Sequence, residues 1–138
     1  MTQFVFPYVE QEHPIFGKVK RPLIKIAMYS ERFQQWLSVD KVLADTGADI
    51  SVVPLPFGEI LFTDVEVGQP IQLGGILASN LMANAFVHRV QAKIGNYEFA
   101  MPVAVSTSSQ IPPILGRQGA LDQFKVSFVH DVELILEI

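Results

Sequence analysis

The chain of 138 residues carries ten Lys and Arg against fourteen Asp and Glu, a formal charge of −4, with 49% apolar and 17% charged residues and no cysteine. This length and composition fit one domain with a real core and argue against disorder. They exclude disulfides, thiol catalysis and cysteine-held metals, and the scattered basic residues form no stripe of the kind nucleic acid requires.

The first residues, Met1-Thr2-Gln3-Phe4, show no basic region followed by an apolar one, and no run approaches the roughly 18 apolar residues of a membrane span. The expectation is a cytoplasmic protein with neither membrane nor nucleic acid as partner. Residues 1–20 read as an N-terminal extension. Within it, residues 4–9 are β-branched and aromatic but include Pro7, which cannot donate to a ladder, so they predict an edge strand; a polar linker containing Gly and Pro follows to Lys20. Residues 21–28 place Ile24, Ile26 and Met28 at period two, the pattern of a half-buried strand.

Residues 36–44 predict the next strand, and it ends in Val42-Leu43-Ala44 directly before Asp45. A carboxylate at the end of a buried apolar strand is a costly placement. Thr46 adds a hydroxyl that both donates and accepts, and Gly47 permits a sharp turn and a close backbone approach. By itself Asp-Thr-Gly is also ordinary turn chemistry, with Asp45 capping local amides. Ser51-Val52-Val53 continues beyond the turn, and residues 54–62 predict a loop with at most a short helix.

Residues 72–77 set Gly74-Gly75 between apolar flanks, which predicts a hairpin tip. A phosphate loop is the poorer reading, because no Gly-Lys-Ser/Thr follows. Phe86, His88, Val90, Ala92 and Ile94 then alternate with Arg89, Gln91 and Lys93. Gly95-Asn96 turns the chain into Tyr97, Phe99, Met101, Val103 and Val105, again at period two, so residues 86–105 predict an antiparallel pair. Residues 106–110 are a loop closed by Pro112-Pro113. After Ile114-Leu115-Gly116-Arg117, Leu121 and Phe124 predict a short helix over 117–124, and residues 125–138 predict a hairpin turning at His130-Asp131. His13, His88 and His130 share no ligand spacing, so no metal site is expected, and a serine hydrolase lacks its Gly-x-Ser-x-Gly elbow.

With its apolar flank, Asp45-Thr46-Gly47-Ala48-Asp49 resembles the active-site segment of the retropepsins, the single-domain aspartic proteases. Gly74-Gly75-Ile76 resembles their flap, and Ile114-Leu115-Gly116-Arg117 resembles the strand that passes through the active-site loop, where only glycine leaves room. The likeness runs from Arg21 to about Phe128, with the three motifs in the family's order. Departures are the flap continuation Leu77-Ala78-Ser79-Asn80, an insertion over residues 54–68, and about twenty residues ahead of Arg21. The longer ends are closer to the bacterial and archaeal relatives than to the viral enzymes.

The resemblance implies one all-β domain over residues 1–138, a closed acid-protease barrel with one short C-terminal helix. It implies an aspartic endopeptidase without cofactor that hydrolyses extended polypeptides. Asp-Thr-Gly occurs once, so two carboxyls meet only in a homodimer, with both copies of Asp45 at the two-fold axis. Thr46 would then hydrogen-bond across the axis, and the Gly47 carbonyl, Gly74, Gly75 and Ile76 would hold substrate. Asp49 and Arg117 would form an ion pair within or between subunits, and Arg21 would reach the partner subunit's Asp49. Ala48 stands where pepsin-like enzymes carry a hydroxyl donor. A carboxyl pair with one donor fewer holds its proton to higher pH, so activity is expected at mildly acidic to near-neutral pH. The alternative is a non-catalytic dimer of the same fold that binds peptides or scaffolds an assembly.

Overall fold

The computed structural model describes residues 2–74 and 83–138. In chain order the strands are β1 (Gln3–Pro7), β2 (Val9–His13), β3 (Gly17–Arg21), β4 (Leu23–Ser30), β5 (Gln35–Ala44) and β6 (Ser51–Val53). A helix, α1 (Leu55–Leu61), precedes β7 (Gln69–Leu73), β8 (Ala83–Ile94), β9 (Tyr97–Ser106), β10 (Ile114–Leu115), β11 (Lys125–Val129) and β12 (Glu133–Glu137).

Six strands close into a barrel. β4 pairs with β5, β5 with β10, β10 with β6, β6 with β9 and β9 with β8, and β8 returns to β4 through Ala27–Lys93 and Met28–Ala92. Period-two alternation builds its interior: Ile24, Ile26 and Met28 from β4, Val90, Ala92 and Ile94 from β8, and Phe99, Met101, Val103 and Val105 from β9 are all buried. On β5, Val39 and Val42 are three apart, yet both are buried. A register shift opposite Ile24 and Ile26, with Lys41 at φ 58°, inserts the extra residue as a bulge and returns both valines to the core.

A second cluster, Val52, Leu73, Ala85, Ala104, Ile111 and Ile114, is buried on the other side of β6, β8 and β9. Along this end both faces of β6 are covered, which is why Ser51, Val52 and Val53 are uniformly buried. α1 begins after Pro54, carries Pro56 in its first turn, and lies close against β9. A Cβ on Gly58 would stand 2.2 Å from a Val105 methyl carbon, so glycine sets the helix-to-sheet distance.

Outside the barrel, β1, β12 and β11 form a three-stranded sheet in that order. Its Leu134 and Leu136 are fully buried in the main core beside Phe4 and Phe6, and β1 with Pro7 is an edge strand. Two expectations are corrected. Residues 9–21 are an antiparallel hairpin, β2 paired with β3 from Val9–Arg21 to His13–Gly17, rather than a linker. Residues 117–124 hold a single 3-10 turn, Leu121–Gln123, because Gly119 takes φ 64° and Ala120 leaves helical geometry, so the i, i+3 spacing of Leu121 and Phe124 extends no further.

Candidate active site

β5 delivers Asp45 to the surface by a chain of backbone hydrogen bonds. Leu43 N–H donates to Pro113 O (3.1 Å), Ala44 N–H to Pro22 O (3.1 Å) and Asp45 N–H to Leu115 O (3.0 Å). β10 is wedged between β5 and β6, parallel to the former and antiparallel to the latter. The loop between those strands therefore wraps the end of β10: Arg117 N–H donates to Ala48 O (3.0 Å) and Gln118 N–H to Asp49 O (2.9 Å).

Gly116 sits buried inside that wrap. A Cβ there would lie 2.6 Å from both the carbonyl carbon and oxygen of Ile50 and 2.8 Å from Ala48 O, all backbone atoms, so no side chain fits without moving the loop. Its N–H donates to Ser51 Oγ at 3.0 Å. Ser51 is fully buried and ties the start of β6 to the strand threaded beside it. Sequence reasoning passed over this residue; its signal was a hydroxyl in the first position of an otherwise apolar strand, where an unpaired polar atom would be costly.

Within the loop, Asp45 is half-buried, and its Oδ1 accepts from Gly47 N–H at 2.9 Å. Asp45, Gly47, Ala48 and Asp49 form one side of a groove of about 700 Å³. Ile50, Val52, Ile71, Leu73, Val87 and Ile114 supply its apolar walls, and Gln69, Gln72 and Gly74 complete the lining. The groove thus runs between the Asp45 loop and β7. Strands β7 and β8 are antiparallel in register Leu73–Ala83, and Gly74 follows β7 at the groove's rim. Gly74 is exposed there, whereas Gly75 and Ile76, expected in the flap, lie outside the described residues.

The remaining expected residues divide. Thr46 is exposed at the loop tip, beside the groove rather than in its lining. Arg117 pairs with Asp122, Nε to Oδ1 at 3.8 Å, both partly exposed, rather than with Asp49 of its own chain; the Asp49 and Arg117 segments meet through backbone. Arg21 is the last residue of β3 and faces Val9. Among the other aspartates, Asp64 caps a 3-10 turn by accepting from Glu66 N–H at 3.0 Å, and neither it, Asp122 nor Asp131 lines the groove. Asp45 and Asp49 are the charged residues among the described residues that line the groove. His88 stacks on Phe62, with ring centroids 4.1 Å apart, and its Nε2 lies 2.7 Å from Val65 O, so it pins the 54–68 excursion to β8.

The six-strand barrel has a counterpart among solved structures. A retropepsin-like aspartic protease from Rickettsia conorii superposes with a TM-score of 0.57 at 17% identity, over 99% of this chain and 94% of that one. The fold is retropepsin-like. The EIAV protease complexed with the inhibitor HBY-793 matches at 25% identity over 76% of this chain and 86% of that one, with a TM-score of 0.48. No family model matches the sequence, and no curated protein matches it. No helix among the described residues is long and apolar enough to cross a membrane.

Proposed function

We propose that the protein is an aspartic endopeptidase that works as a homodimer. The observation that carries this reading is the position of Asp45, half-buried on an apolar-walled groove of about 700 Å³ with no second Asp-Thr-Gly loop in the chain. Peptide hydrolysis without metal or covalent intermediate needs two carboxyls sharing one proton: the ionised one takes a proton from water while the other donates to the carbonyl oxygen. One chain supplies one such group, so a symmetry mate supplies its twin. The roles follow the shared proton rather than the residue.

An extended polypeptide lies in the groove between the Asp45 loop and β7, with main-chain hydrogen bonds giving affinity and the apolar walls selecting uncharged side chains. Thr46, at the exposed loop tip, hydrogen-bonds across the axis. The Gly47 carbonyl and the Gly74, Gly75 and Ile76 segment hold the substrate backbone. Arg21 and Arg117 meet the partner subunit's Asp49.

A second reading keeps the dimer and the peptide but removes the chemistry. It is favoured by the bond from Gly47 N–H to Asp45 Oδ1, which gives that carboxylate a structural task in the loop. Digestion of a proteome-derived peptide library by wild type and Asp45→Asn, with and without a statine-type inhibitor, separates the two. The endopeptidase reading expects cleavage that the substitution and the inhibitor both abolish. Peptide binding without cleavage by wild type, at any pH tested, refutes it.

A further inference from the structure

The β2–β3 hairpin pairs with no other strand among the described residues. Four of its charges fall on one face, Glu10 and Glu12 opposite Lys20 and Lys18, with Lys18 and Glu10 3.7 Å apart, and the fifth, Arg21, lies on the other beside Val9. The other face carries Val9, Gln11 and Val19, half-buried at most. At the tip Ile15 and Phe16 are 79% and 72% exposed. A lone two-stranded ribbon is marginal in water, and two large apolar side chains at its end add nothing to the fold of their own chain.

Yet the tip is built to hold them still. His13 Nδ1 accepts from Ile15 N–H at 3.1 Å and Phe16 N–H at 3.2 Å, its ring stacks on that of Phe16 with centroids 4.8 Å apart, and Gly17 at φ 75° closes the turn. The root is fixed as well. Tyr8 N–H donates to Val132 O at 2.9 Å on one side, and Pro22 O accepts from Ala44 N–H, next to Asp45, on the other. A five-residue ribbon reaches about 17 Å. A fixed root, a stiff ribbon and an ordered apolar tip describe an arm organised for an occupant before that occupant arrives.

We propose that this arm grips a second copy of the same chain, with Ile15 and Phe16 buried against the partner subunit. The proposal rests on the dimeric reading above, which places the arm's root beside the two-fold axis: the strand that anchors Pro22 is the strand that ends at Asp45. A second copy brought to that axis stands within a ribbon's length of the arm's root. The arm therefore sets the strength of dimerisation, while the groove sets what is cut.

Sedimentation equilibrium of the full chain tests this, comparing wild type with Ile15→Ser/Phe16→Ser. Both residues are exposed, so the double variant keeps the thermal midpoint of the wild-type chain measured at monomeric dilution. The expected result is a rise in the dimer dissociation constant of about tenfold or more, with cleavage activity lost at low protein concentration and restored at high. A photo-crosslinker at Phe16 gives a product of twice the chain mass. An unchanged dissociation constant in the double variant overturns the arm and leaves the paired-carboxyl reading standing; a wild type that stays monomeric at every concentration overturns both. Binding of the tip to anionic lipid vesicles with dimerisation unaltered also overturns it.

Discussion

Substitution of Gly116 by alanine tests the construction of the Asp45 loop most directly. The added methyl meets the Ile50 carbonyl carbon and oxygen at 2.6 Å and Ala48 O at 2.8 Å. These are backbone atoms and cannot rotate away. Overpacking of this kind costs about 1–3 kcal/mol. A shift that relieves it stretches the bonds from Gly116 N–H to Ser51 Oγ and from Arg117 N–H to Ala48 O, each worth about 1 kcal/mol. The total, about 3–5 kcal/mol, is a large share of the roughly 5–15 kcal/mol that holds a domain together. It corresponds to a fall in Tm on the order of 10–15 °C. Thermal and urea unfolding followed by circular dichroism measure it. Gly17→Ala is the control: its φ of 75° is strained for alanine but nothing lies within 4 Å, so it costs about 1–2 kcal/mol. A Gly116→Ala variant that loses no more stability than Gly17→Ala refutes the claim that the loop is closed around a residue with no side chain.

Ser51→Ala strands the buried Gly116 N–H without an acceptor and is expected to cost about 1–3 kcal/mol in urea unfolding; an unchanged midpoint refutes the tie between β6 and β10. Asp45→Asn keeps an oxygen to accept from Gly47 N–H, so Tm and the dimer dissociation constant hold within error while peptide cleavage disappears; residual cleavage at the wild-type rate refutes the catalytic assignment. Arg117→Ala removes a partly exposed pair with Asp122 and lowers monomer stability by less than about 1 kcal/mol. A larger loss confined to the dimer is the mark of a pairing with the partner subunit's Asp49. Cleavage against pH follows a bell with its maximum at mildly acidic to near-neutral pH, and a maximum deep in the pepsin range rejects that expectation.

Period-two alternation made β4, β8 and β9 readable from the chain alone, because each buries one face and its apolar residues are numerous enough to show the pattern. The Asp45 loop and Gly116 were readable for a different reason: a carboxylate directly after an apolar strand and a backbone crossing each restrict residue choice severely. The β2–β3 hairpin was hidden by its own composition, since one face is entirely charged and the other mixes Val9, Gln11 and Val19 with His13 and Arg21, so Pro14 and Gly17 looked like linker punctuation. Leu121 and Phe124 suggested a helix because spacing says nothing of the left-handed Gly119 between Arg117 and Leu121. The bond from Gly116 to Ser51 spans 65 residues, and no local pattern encodes a partner so distant. Within one chain Asp49 and Arg117 illustrate the same limit in reverse: the segments that the resemblance joins by an ion pair within or between subunits meet there through peptide groups, and Arg117 pairs with Asp122.

The two-residue strand β10 has a consequence for when the groove becomes usable. β5 and β6 have no ladder with each other, and the ring is continuous only because Ile114 and Leu115 stand between them. Without those two residues the sheet is open between β5 and β6, directly beside Asp45. The last ring strand in chain order is thus also the one that completes the Asp45 loop, so the groove exists only in a chain whose barrel is already closed.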